Sequence, residues 1–370
     1  MAFSLFKKNK NKGEEANGSG TQHYFDLEVK DIIHETKDTI SIVFNQPENP
    51  VGYKSGQFLT LIVPVDGKEV RRAYSLCSSP FIDEDLAVTV KRVENGLMSN
   101  WLPENLHVGD RLKVMEPMGT FTTEYSKDNK RHLILFAGGS GITPMMSIIK
   151  SILTQEPESI ISLIYANRNI ESIIFKDALD QLATKYEGRL HLIHILDDAP
   201  MNWQGHSGLL NHDMLLKIFE RIPNWEDTTY LMCGPEGMMK NVENLLEEQH
   251  ISKDLIFKES FVAGTIDKEP KEKDTEGEVV AREVTVIYDG DEHKFTVEPG
   301  RTILETALDK GIDLPYSCQS GLCTACRGKC QSGKVKLDEE EGLSEAELAE
   351  GYVLTCVGHP MTDDVVIEIG

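Results

Sequence analysis

The stretch SCQSGLCTAC at residues 317–326 places three cysteines on one short segment, and Cys356 adds a fourth farther along the chain. The whole chain has 370 residues and seven cysteines, an odd number. Disulfide scaffolds are typical of shorter secreted chains that pair their cysteines. The start of the sequence also lacks the apolar stretch of a secretory signal. These features predict bound metal in a reducing compartment, and hence a cytoplasmic protein.

The spacing of the cysteines indicates which metal centre to expect. Four thiolates suit zinc or an iron–sulfur cluster. Structural zinc usually draws two close cysteine pairs from two knuckles, whereas Cys318, Cys323 and Cys326 share one loop and Cys356 is remote. That is the plant-type [2Fe–2S] spacing, and the small residues Ser317, Ser320, Gly321 and Thr324 suit a tight wrap around a cluster. We therefore expect a [2Fe–2S] cluster, with zinc as the alternative.

The cysteine loop belongs to the last of three blocks, residues 282–370. Its pattern predicts a hairpin with strands at Glu283–Tyr288 and His293–Val297, a helix at Thr302–Lys310 and a final strand at Val365–Ile369. Residues 263–281, which precede it, are strongly charged and have almost nothing apolar to bury. They predict an extended linker.

The middle block, residues 127–262, alternates strand-like apolar runs with helical patterns, which predicts a doubly wound parallel sheet. The expected strands are His132–Ala137, Ile160–Ala166, Leu190–Leu196 and Thr229–Cys233, and the expected helices are Pro144–Thr154, Ile173–Lys185, Gly208–Arg221 and Pro235–Gln249.

Glycine-rich turns follow two of these strands. Gly138-Gly139-Ser140-Gly141 follows the first, with Thr143 expected as the N-cap of the next helix and Pro144 as its first residue. Glycines let the backbone approach a pyrophosphate and a helix N-terminus attracts it, so the turn predicts a nicotinamide dinucleotide site. Cys233-Gly234-Pro235 ends the fourth strand, at the sheet edge where ligands bind. An inert buried thiol is the alternative for Cys233.

The second strand of this block ends in Tyr165-Ala166-Asn167-Arg168. It lacks the acidic residue that a ribose-binding site would place there. Arg168 is suited to a 2′-phosphate, which weakly favours NADPH over NADH, and an ordinary surface or ion-paired arginine is the alternative.

The first block, residues 23–126, holds short alternating apolar segments separated by Gly and Pro, which predicts a small antiparallel barrel. The segments are Ile40–Phe44, Phe58–Val63, Leu86–Val93 and Arg111–Met115.

This block also carries a flavin-like motif, Arg71-Arg72-Ala73-Tyr74-Ser75. A flavin site needs a cation for phosphate, an aromatic ring to stack and a hydroxyl near N5, and alternation puts Arg72 and Tyr74 on one strand face. Gly56-Gln57-Phe58 precedes the motif, and Ser99, after Gly96, is expected to cap a helix that binds a second phosphate, favouring FAD over FMN. The candidate flavin-binding residues are Arg72, Ala73, Tyr74, Ser75, Val90, Lys91, Gly96, Met98 and Ser99.

Charge and hydropathy exclude other classes. The formal net charge of −23 argues against nucleic acid, whose binding needs clustered Lys and Arg. No run of about 18 apolar residues is present, so no membrane span is expected. Residues 1–22 are lysine-, glycine- and serine-containing and predict a disordered tail.

Together these motifs resemble the ferredoxin–NADP⁺ reductase superfamily. With a ferredoxin module fused at the C-terminal side, the order resembles the reductase components of bacterial oxygenases, the phenylacetyl-CoA epoxidase reductase subunit most of all. Reductases of hybrid-cluster proteins and of steroid hydroxylases share this order. The resemblance implies a multidomain fold, with an antiparallel β-barrel for FAD, an α/β doubly wound NAD(P) domain and an α+β β-grasp ferredoxin domain.

The resemblance also implies residue roles. Arg72 and Ser99 hold FAD phosphates, Tyr74 stacks on the isoalloxazine and Ser75 hydrogen-bonds near N5. The segment Glu259-Ser260-Phe261 is similar to the family segment near the other flavin face, which makes Ser75, Cys233 and Glu259 the candidate catalytic residues. The implied NAD(P)H-binding residues are Gly138, Gly139, Ser140, Gly141, Thr143, Arg168, Cys233, Gly234 and Pro235, with Phe261 at the flavin.

The expected activity is electron transfer from NAD(P)H through FAD and the [2Fe–2S] cluster to a separate acceptor protein. Among these three redox groups, only the flavin can accept a hydride and release single electrons. It must therefore lie between NAD(P)H and the [2Fe–2S] cluster. The acceptor stays open among an epoxidase, a ring-hydroxylating or steroid oxygenase, a desaturase and a hybrid-cluster protein. A terminal oxidase or hydroxylase would need an oxygen-activating site, and no such motif is seen. A redox-sensing subunit is the third hypothesis.

Overall fold

Three large sheets follow one another along the described part of the computed structural model, which comprises residues 24–65, 67–222, 225, 227–261, 280–319, 321, 323–340 and 342–369. The expected tail (1–22), nearly all of the expected linker (263–281) and Ser320 lie outside the described residues. None of the described helices is long and apolar enough to cross a bilayer.

The first sheet is antiparallel, with strand order β4-β3-β6-β1-β2-β5. An isolated bridge between Leu76, just after β4, and Val88 in β5 joins the two edge strands. The sheet therefore closes into the expected barrel, which leaves no long unpaired edge. Its elements are β1 (Tyr24–Thr36), β2 (Thr39–Phe44), β3 (Phe58–Val65), β4 (Lys68–Ser75), β5 (Leu86–Lys91), α1 (Leu97–Asn105) and β6 (Arg111–Met115).

The second sheet is parallel throughout, with order β10-β9-β8-β7-β11-β12. The chain winds outward from β7 to one side and returns to β11 on the other, so the order reverses between β7 and β11, where such sheets bind ligands. The elements are β7 (His132–Gly138), α2 (Ile142–Gln155), β8 (Ile160–Asn167), α3 (Lys176–Lys185), β9 (Leu190–Leu196), β10 (His206–Ser207), α4 (His212–Phe219), β11 (Thr228–Cys233), α5 (Glu236–Glu248) and β12 (Ile256–Glu259).

The third sheet is mixed, with order β14-β13-β19-β15-β17, and β13 and β19 are parallel neighbours. Helix α6 packs against this sheet, which gives the expected α+β arrangement. The elements are β13 (Arg282–Tyr288), β14 (Asp291–Val297), α6 (Ile303–Asp309), β15 (Arg327–Ser332), β16 (Val335–Leu337), α7 (Glu345–Ala349), β17 (Tyr352–Leu354), β18 (Gly358–Pro360) and β19 (Val365–Ile369).

Helix α2 joins the barrel to the parallel sheet. All its residues from Ile142 to Ile149 are buried. The hydroxyl of Ser151 lies 2.5 Å from the Ser55 hydroxyl and 2.8 Å from that of Ser79, both on the barrel side. A helix with apolar residues on nearly every side must be covered on nearly every side. The parallel sheet covers one side of α2, and the barrel covers another.

Two expected helix caps are wrong. Helix α2 begins at Ile142 with Gly141 as its N-cap, so Thr143 lies inside the first turn and its hydroxyl donates to the Ser140 carbonyl. The cause is a 3₁₀ turn over Gly139–Gly141 that continues directly into the helix. Helix α1 likewise begins at Leu97 after Gly96, and the Ser99 hydroxyl accepts from the Val93 N–H.

Two expected helices begin later than the pattern suggested. Helix α3 begins at Lys176 rather than Ile173, because Phe175 adopts a left-handed conformation with φ 61° at the N-cap. Helix α4 begins at His212 rather than Gly208, because the Asn211 side chain caps it by accepting from the Met214 N–H.

A buried ion pair ties the end of α2 to the start of β7. The Glu156 carboxylate is fully buried and lies 2.7 Å from the Arg131 guanidinium. It also accepts from Asn129 Nδ2 at 2.7 Å and from the Ser159 hydroxyl at 2.8 Å. These contacts satisfy the carboxylate and offset its desolvation.

Glu156→Ala is expected to destabilise the protein by about 3 kcal/mol, because it leaves the mostly buried Arg131 guanidinium without its counter-charge. Urea unfolding followed by circular dichroism measures the change. Lys130→Ala, which removes the exposed Lys130–Glu158 pair next to it, is the matched control and is expected to shift the midpoint far less. Equal shifts in the two variants would contradict the structural role of Glu156.

Candidate functional site

The glycine-rich turns after β7 and β11 pack main chain against main chain. Ala137 and Cys233, near the ends of the two strands, are paired neighbours. A Cβ at Gly141 would lie 2.0 Å from the Cys233 carbonyl oxygen, and one at Gly234 would lie 3.0 Å from the Gly138 Cα. Only glycine permits this approach, so both turns present bare backbone at the same edge of the sheet.

A cavity of about 1070 Å³ opens at this edge, between the parallel sheet and the barrel. Its cationic lining residues are Lys37, Lys91, Arg92 and Arg168. A Cβ at Gly139 would lie 3.7 Å from Lys91 Nζ, so an ammonium group of the barrel reaches the glycine-rich turn. Cations beside exposed backbone N–H groups form a suitable place for a pyrophosphate.

Asn167 and Lys37 are among the lining residues that the sequence did not predict. Asn167 is 6% exposed, and its side chain lies beside the Tyr165 phenol, but its Nδ2 makes no close hydrogen bond within the described residues. A buried amide without a partner is costly, which makes Asn167 a candidate to bind a ligand in the cavity. A polar residue at the carboxyl end of a parallel strand was the available signal. No sequence feature pointed to Lys37, which lies in the β1–β2 turn, as a residue of the site. Arg168 lies exposed at the cavity rim.

Cys233 and Glu259 lie side by side at the ends of β11 and β12, where they are paired residues. Cys233 is completely buried and Glu259 is 6% exposed. Burial, and then the neighbouring Glu259 carboxylate, raise the pKa of the Cys233 thiol well above its usual value. The thiol therefore stays protonated at neutral pH and is a poor nucleophile. Phe261, two residues beyond Glu259, is exposed.

The flavin motif lies on β4. Arg72 and Tyr74 pair with Leu61 and Leu59 of β3, whereas Ala73 pairs with Thr60. The Arg72 guanidinium donates to the Arg71 carbonyl at 2.7 Å, and burial raises the pKa of the Tyr74 phenol although Arg72 opposes the shift. The shared face of Arg72 and Tyr74 thus follows the expected alternation.

Ser75 offers a direct test of whether this site suits a flavin. It is 3% exposed, and its hydroxyl has no hydrogen-bond partner within the described residues. A Cβ at Gly96 would lie 2.3 Å from the Ser99 hydroxyl and 2.4 Å from the Val93 side chain, so the tight turn into α1 requires glycine. A buried hydroxyl without a partner, as at Ser75, fits a ligand with a polar ring edge. Val90 and Met98 are buried at 0% and 1% exposure and line the barrel core.

The four cysteines of the expected cluster form one group of contacting thiols. Hydrogen bonds join Cys318 to Cys323 and to Cys356, and Cys326 to Cys356. Cys323, Cys326 and Cys356 are buried, while Cys318 is partly exposed. The bond with Cys318, then burial, raise the pKa of the Cys323 thiol, whereas the bond with Cys356 lowers the pKa of the Cys326 thiol.

These four contacting thiols fit a [2Fe–2S] cluster, in which two thiolates hold each iron. The loop is tightly wrapped, since Gly321 has φ 78° and a Cβ at Gly342 would lie 2.5 Å from the Gly321 carbonyl oxygen.

Known protein families match the chain in the order of these sites. The family "Oxidoreductase FAD-binding domain" matches residues 25–123, "Oxidoreductase NAD-binding domain" matches 135–244, and "2Fe-2S iron-sulfur cluster binding domain" matches 286–361. The three matches support FAD, NAD(P)H and a [2Fe–2S] cluster as the cofactors.

Individual relatives match over nearly their whole length. The chain is 39% identical over 350 residues to the ferredoxin reductase component of 3-ketosteroid-9-alpha-monooxygenase from Rhodococcus rhodochrous, covering 92% of this chain and 96% of the relative. It is 34% identical to one of the subunits of 1,2-phenylacetyl-CoA epoxidase from Escherichia coli K12, covering 93% and 97%. Among solved structures, phthalate dioxygenase reductase shares the fold with a TM-score of 0.60, at 23% identity over 94% of this chain and 98% of the other.

Gly141→Ala is expected to weaken NAD(P)H binding and to cost about 1–3 kcal/mol of stability, because its Cβ would force the two glycine-rich turns apart. A fluorescence titration with NAD(P)H and a thermal unfolding curve measure the two effects. Gly52→Ala is the control, since a Cβ there meets nothing within 4 Å. Unchanged coenzyme affinity in Gly141→Ala would contradict the assignment of this edge.

Proposed function

This chain belongs to the family of flavin- and [2Fe–2S]-containing reductase components of oxygenases, and we propose that it oxidises NAD(P)H and delivers single electrons to a separate oxygenase component. One NAD(P)H yields NAD(P)⁺, a proton and two reduced one-electron acceptors. The observation that carries the proposal is the order of sites on one chain. A cavity between the parallel sheet and the barrel is lined by the glycine-rich turns and by Lys91 of the barrel, and the segment that leads into the cysteine loop contacts the barrel strand that carries the flavin motif.

The proposed domains are 23–126 for FAD, 127–262 for NAD(P)H and 282–370 for the cluster. FAD held by the first domain would supply the chemistry that connects the nicotinamide to the cluster, because a flavin can accept a hydride and release its two electrons singly. Arg72 and Ser99 bind FAD phosphates, Tyr74 stacks on its ring, and the buried Ser75 hydroxyl hydrogen-bonds the ring edge near N5. This role gives Ser75 Oγ the partner that it lacks within the described residues.

The coenzyme side of the site uses residues of both domains. The turn Gly138–Gly141 with Thr143 binds the pyrophosphate, and Lys91, whose ammonium lies beside Gly139, supplies its counter-charge. Asn167 donates to the coenzyme with its buried amide. Cys233, held as a neutral thiol, and Glu259 border the nicotinamide, and Phe261 covers the flavin.

The acceptor is an oxygenase component. The relatives that carry the fold serve a ketosteroid monooxygenase and a phenylacetyl-CoA epoxidase. The net charge of −23 favours a basic docking surface on the partner. Thiolate ligation of iron requires reduced cysteines, which supports work in the cytoplasm. Co-purification from the host, followed by identification of the bound protein, selects among the oxygenase classes.

Cys356→Ser tests the electron path. The variant is expected to keep its FAD and its NAD(P)H–ferricyanide activity, but to lose the visible and electron paramagnetic resonance signals of the cluster together with cytochrome c reduction. Cys330→Ser is the control from the same domain, because the Cys330 thiol donates to the Ser332 carbonyl and lies outside the group of four contacting thiols. Zinc in the purified wild-type protein, or an intact cluster in Cys356→Ser, would contradict the proposal.

Arg168→Ala tests the coenzyme preference. If Arg168 binds a 2′-phosphate, the ratio of kcat/KM for NADPH to that for NADH falls about 10- to 100-fold, the loss expected for one charge-assisted hydrogen bond. Steady-state kinetics with both coenzymes measure the ratio. Lys217→Ala removes an exposed cation outside the cavity and is expected to leave it unchanged. An unchanged ratio in Arg168→Ala would leave this arginine without the proposed role.

A further inference from the structure

The outer face of β3 and β4 is closed by the segment that leads into the first cluster cysteine. Leu59, Leu61 and Val63 of β3 point into the barrel core. Thr60 alternates with them, so it lies on the opposite face, yet it is completely buried. Its hydroxyl is hydrogen-bonded to that of Ser317, which is 2% exposed and immediately precedes Cys318.

Arg71 makes a second contact across the same junction. It pairs with Ile62 of β3, and both lie on the outer face with Thr60. The Arg71 guanidinium carbon lies 4.8 Å from the centre of the Tyr316 ring. Its Nε and Nη2 donate to Glu69 at 2.8 and 2.6 Å, and its side chain is only 8% exposed.

A buried guanidinium on the outside of a barrel needs an explanation. Burying a charge is costly unless it is paired, and Glu69 supplies the pairing. A cation over an aromatic face is more favourable when it is removed from water, and here the guanidinium is buried and the Tyr316 ring is half-buried. Because Tyr316 belongs to the cluster domain, the Arg71 environment is completed only when that domain is docked on the barrel.

The junction also has a defined place in the electron path. Strand β4 carries the proposed flavin-binding residues Arg72 and Tyr74 on one face and Arg71 on the other. Tyr316 and Ser317 immediately precede Cys318, the first of the four contacting thiols. One strand therefore carries proposed flavin-binding residues and contacts the segment that leads into the cysteine loop, so a shift at Arg71 changes the separation between the two proposed redox centres.

We propose that Arg71 and Tyr316, with Thr60 and Ser317, form a docking latch that holds the cluster domain within electron-transfer distance of the flavin. Arg71 is a positioning residue, because it acts through Tyr316 and touches neither cofactor. The inference rests on the proposed function, since it concerns the transfer of each of the two electrons from flavin to cluster.

The test uses full-length Arg71→Ala protein with both cofactors bound. Stopped-flow mixing with NAD(P)H is expected to show flavin reduction and ferricyanide reduction at wild-type rates. Cluster reduction and cytochrome c reduction fall about tenfold, the effect on a docking equilibrium of losing one partly buried cation–π contact. Hydrogen exchange of peptides covering β3 and residues 312–317 rises, which reports the docking without any turnover.

Matched variants distinguish loss of the docking latch from general destabilisation of the protein. Arg111→Ala removes an ion-paired arginine elsewhere on the barrel, bound to Asp26 and Glu28, and leaves cluster reduction unchanged. Tyr316→Phe keeps the ring and stays near wild type, whereas Tyr316→Leu reproduces Arg71→Ala. If Arg71→Ala fails to fold, the two Tyr316 variants decide the question alone.

The outcomes distinguish failure of the docking latch from failure of the proposed function. If cluster reduction and hydrogen exchange in Arg71→Ala and Tyr316→Leu match the wild type, the latch is wrong while the electron path stands. Slower flavin reduction in Arg71→Ala would also overturn it, by placing Arg71 in the flavin site. A wild-type protein without flavin or cluster would instead refute the proposed function itself.

Discussion

Burial of α2 between the parallel sheet and the barrel is the contact from which the geometry of the site follows. Its N-terminus extends the glycine-rich turn after β7, and its C-terminus ends at the fully buried Glu156. Hydroxyl contacts from Ser151 fix the same helix to the barrel. A closely packed helix cannot move without opening voids. The glycine-rich turn after β7 and the barrel strands therefore keep a fixed position relative to each other.

The cavity is consequently a product of two domains rather than of either alone. The barrel contributes Lys91, and the parallel sheet contributes the glycine-rich turns and Asn167. Hydride transfer requires the donor and acceptor rings to be held in contact in one orientation. In the proposed function, the shared cavity binds the coenzyme across the junction of the two domains. Strand β4 of the barrel has a second junction, because its outer face meets the cluster domain.

Features that depend on local chemistry were readable from the sequence. Strand alternation placed Arg72 and Tyr74 on one face, and cysteine spacing grouped Cys318, Cys323, Cys326 and Cys356. The comparisons confirm the family, the multidomain fold and the three cofactors that the motifs predicted. Features set by tertiary contacts were not readable. The caps at Thr143 and Ser99 were wrong because glycine backbones start both helices. Arg71 is exceptional only in its burial against a distant part of the chain, which no local pattern reveals.

The pairing of β13 with β19 has a mechanical consequence. These are the first and last strands of the cluster domain, and they run parallel as direct neighbours. A force that pulls the two ends of the domain apart therefore loads the hydrogen bonds between β13 and β19 in shear. These hydrogen bonds must then break together rather than one after another. Tension arriving through the chain before residue 282 can move the domain as a unit while the metal-binding loop keeps its shape.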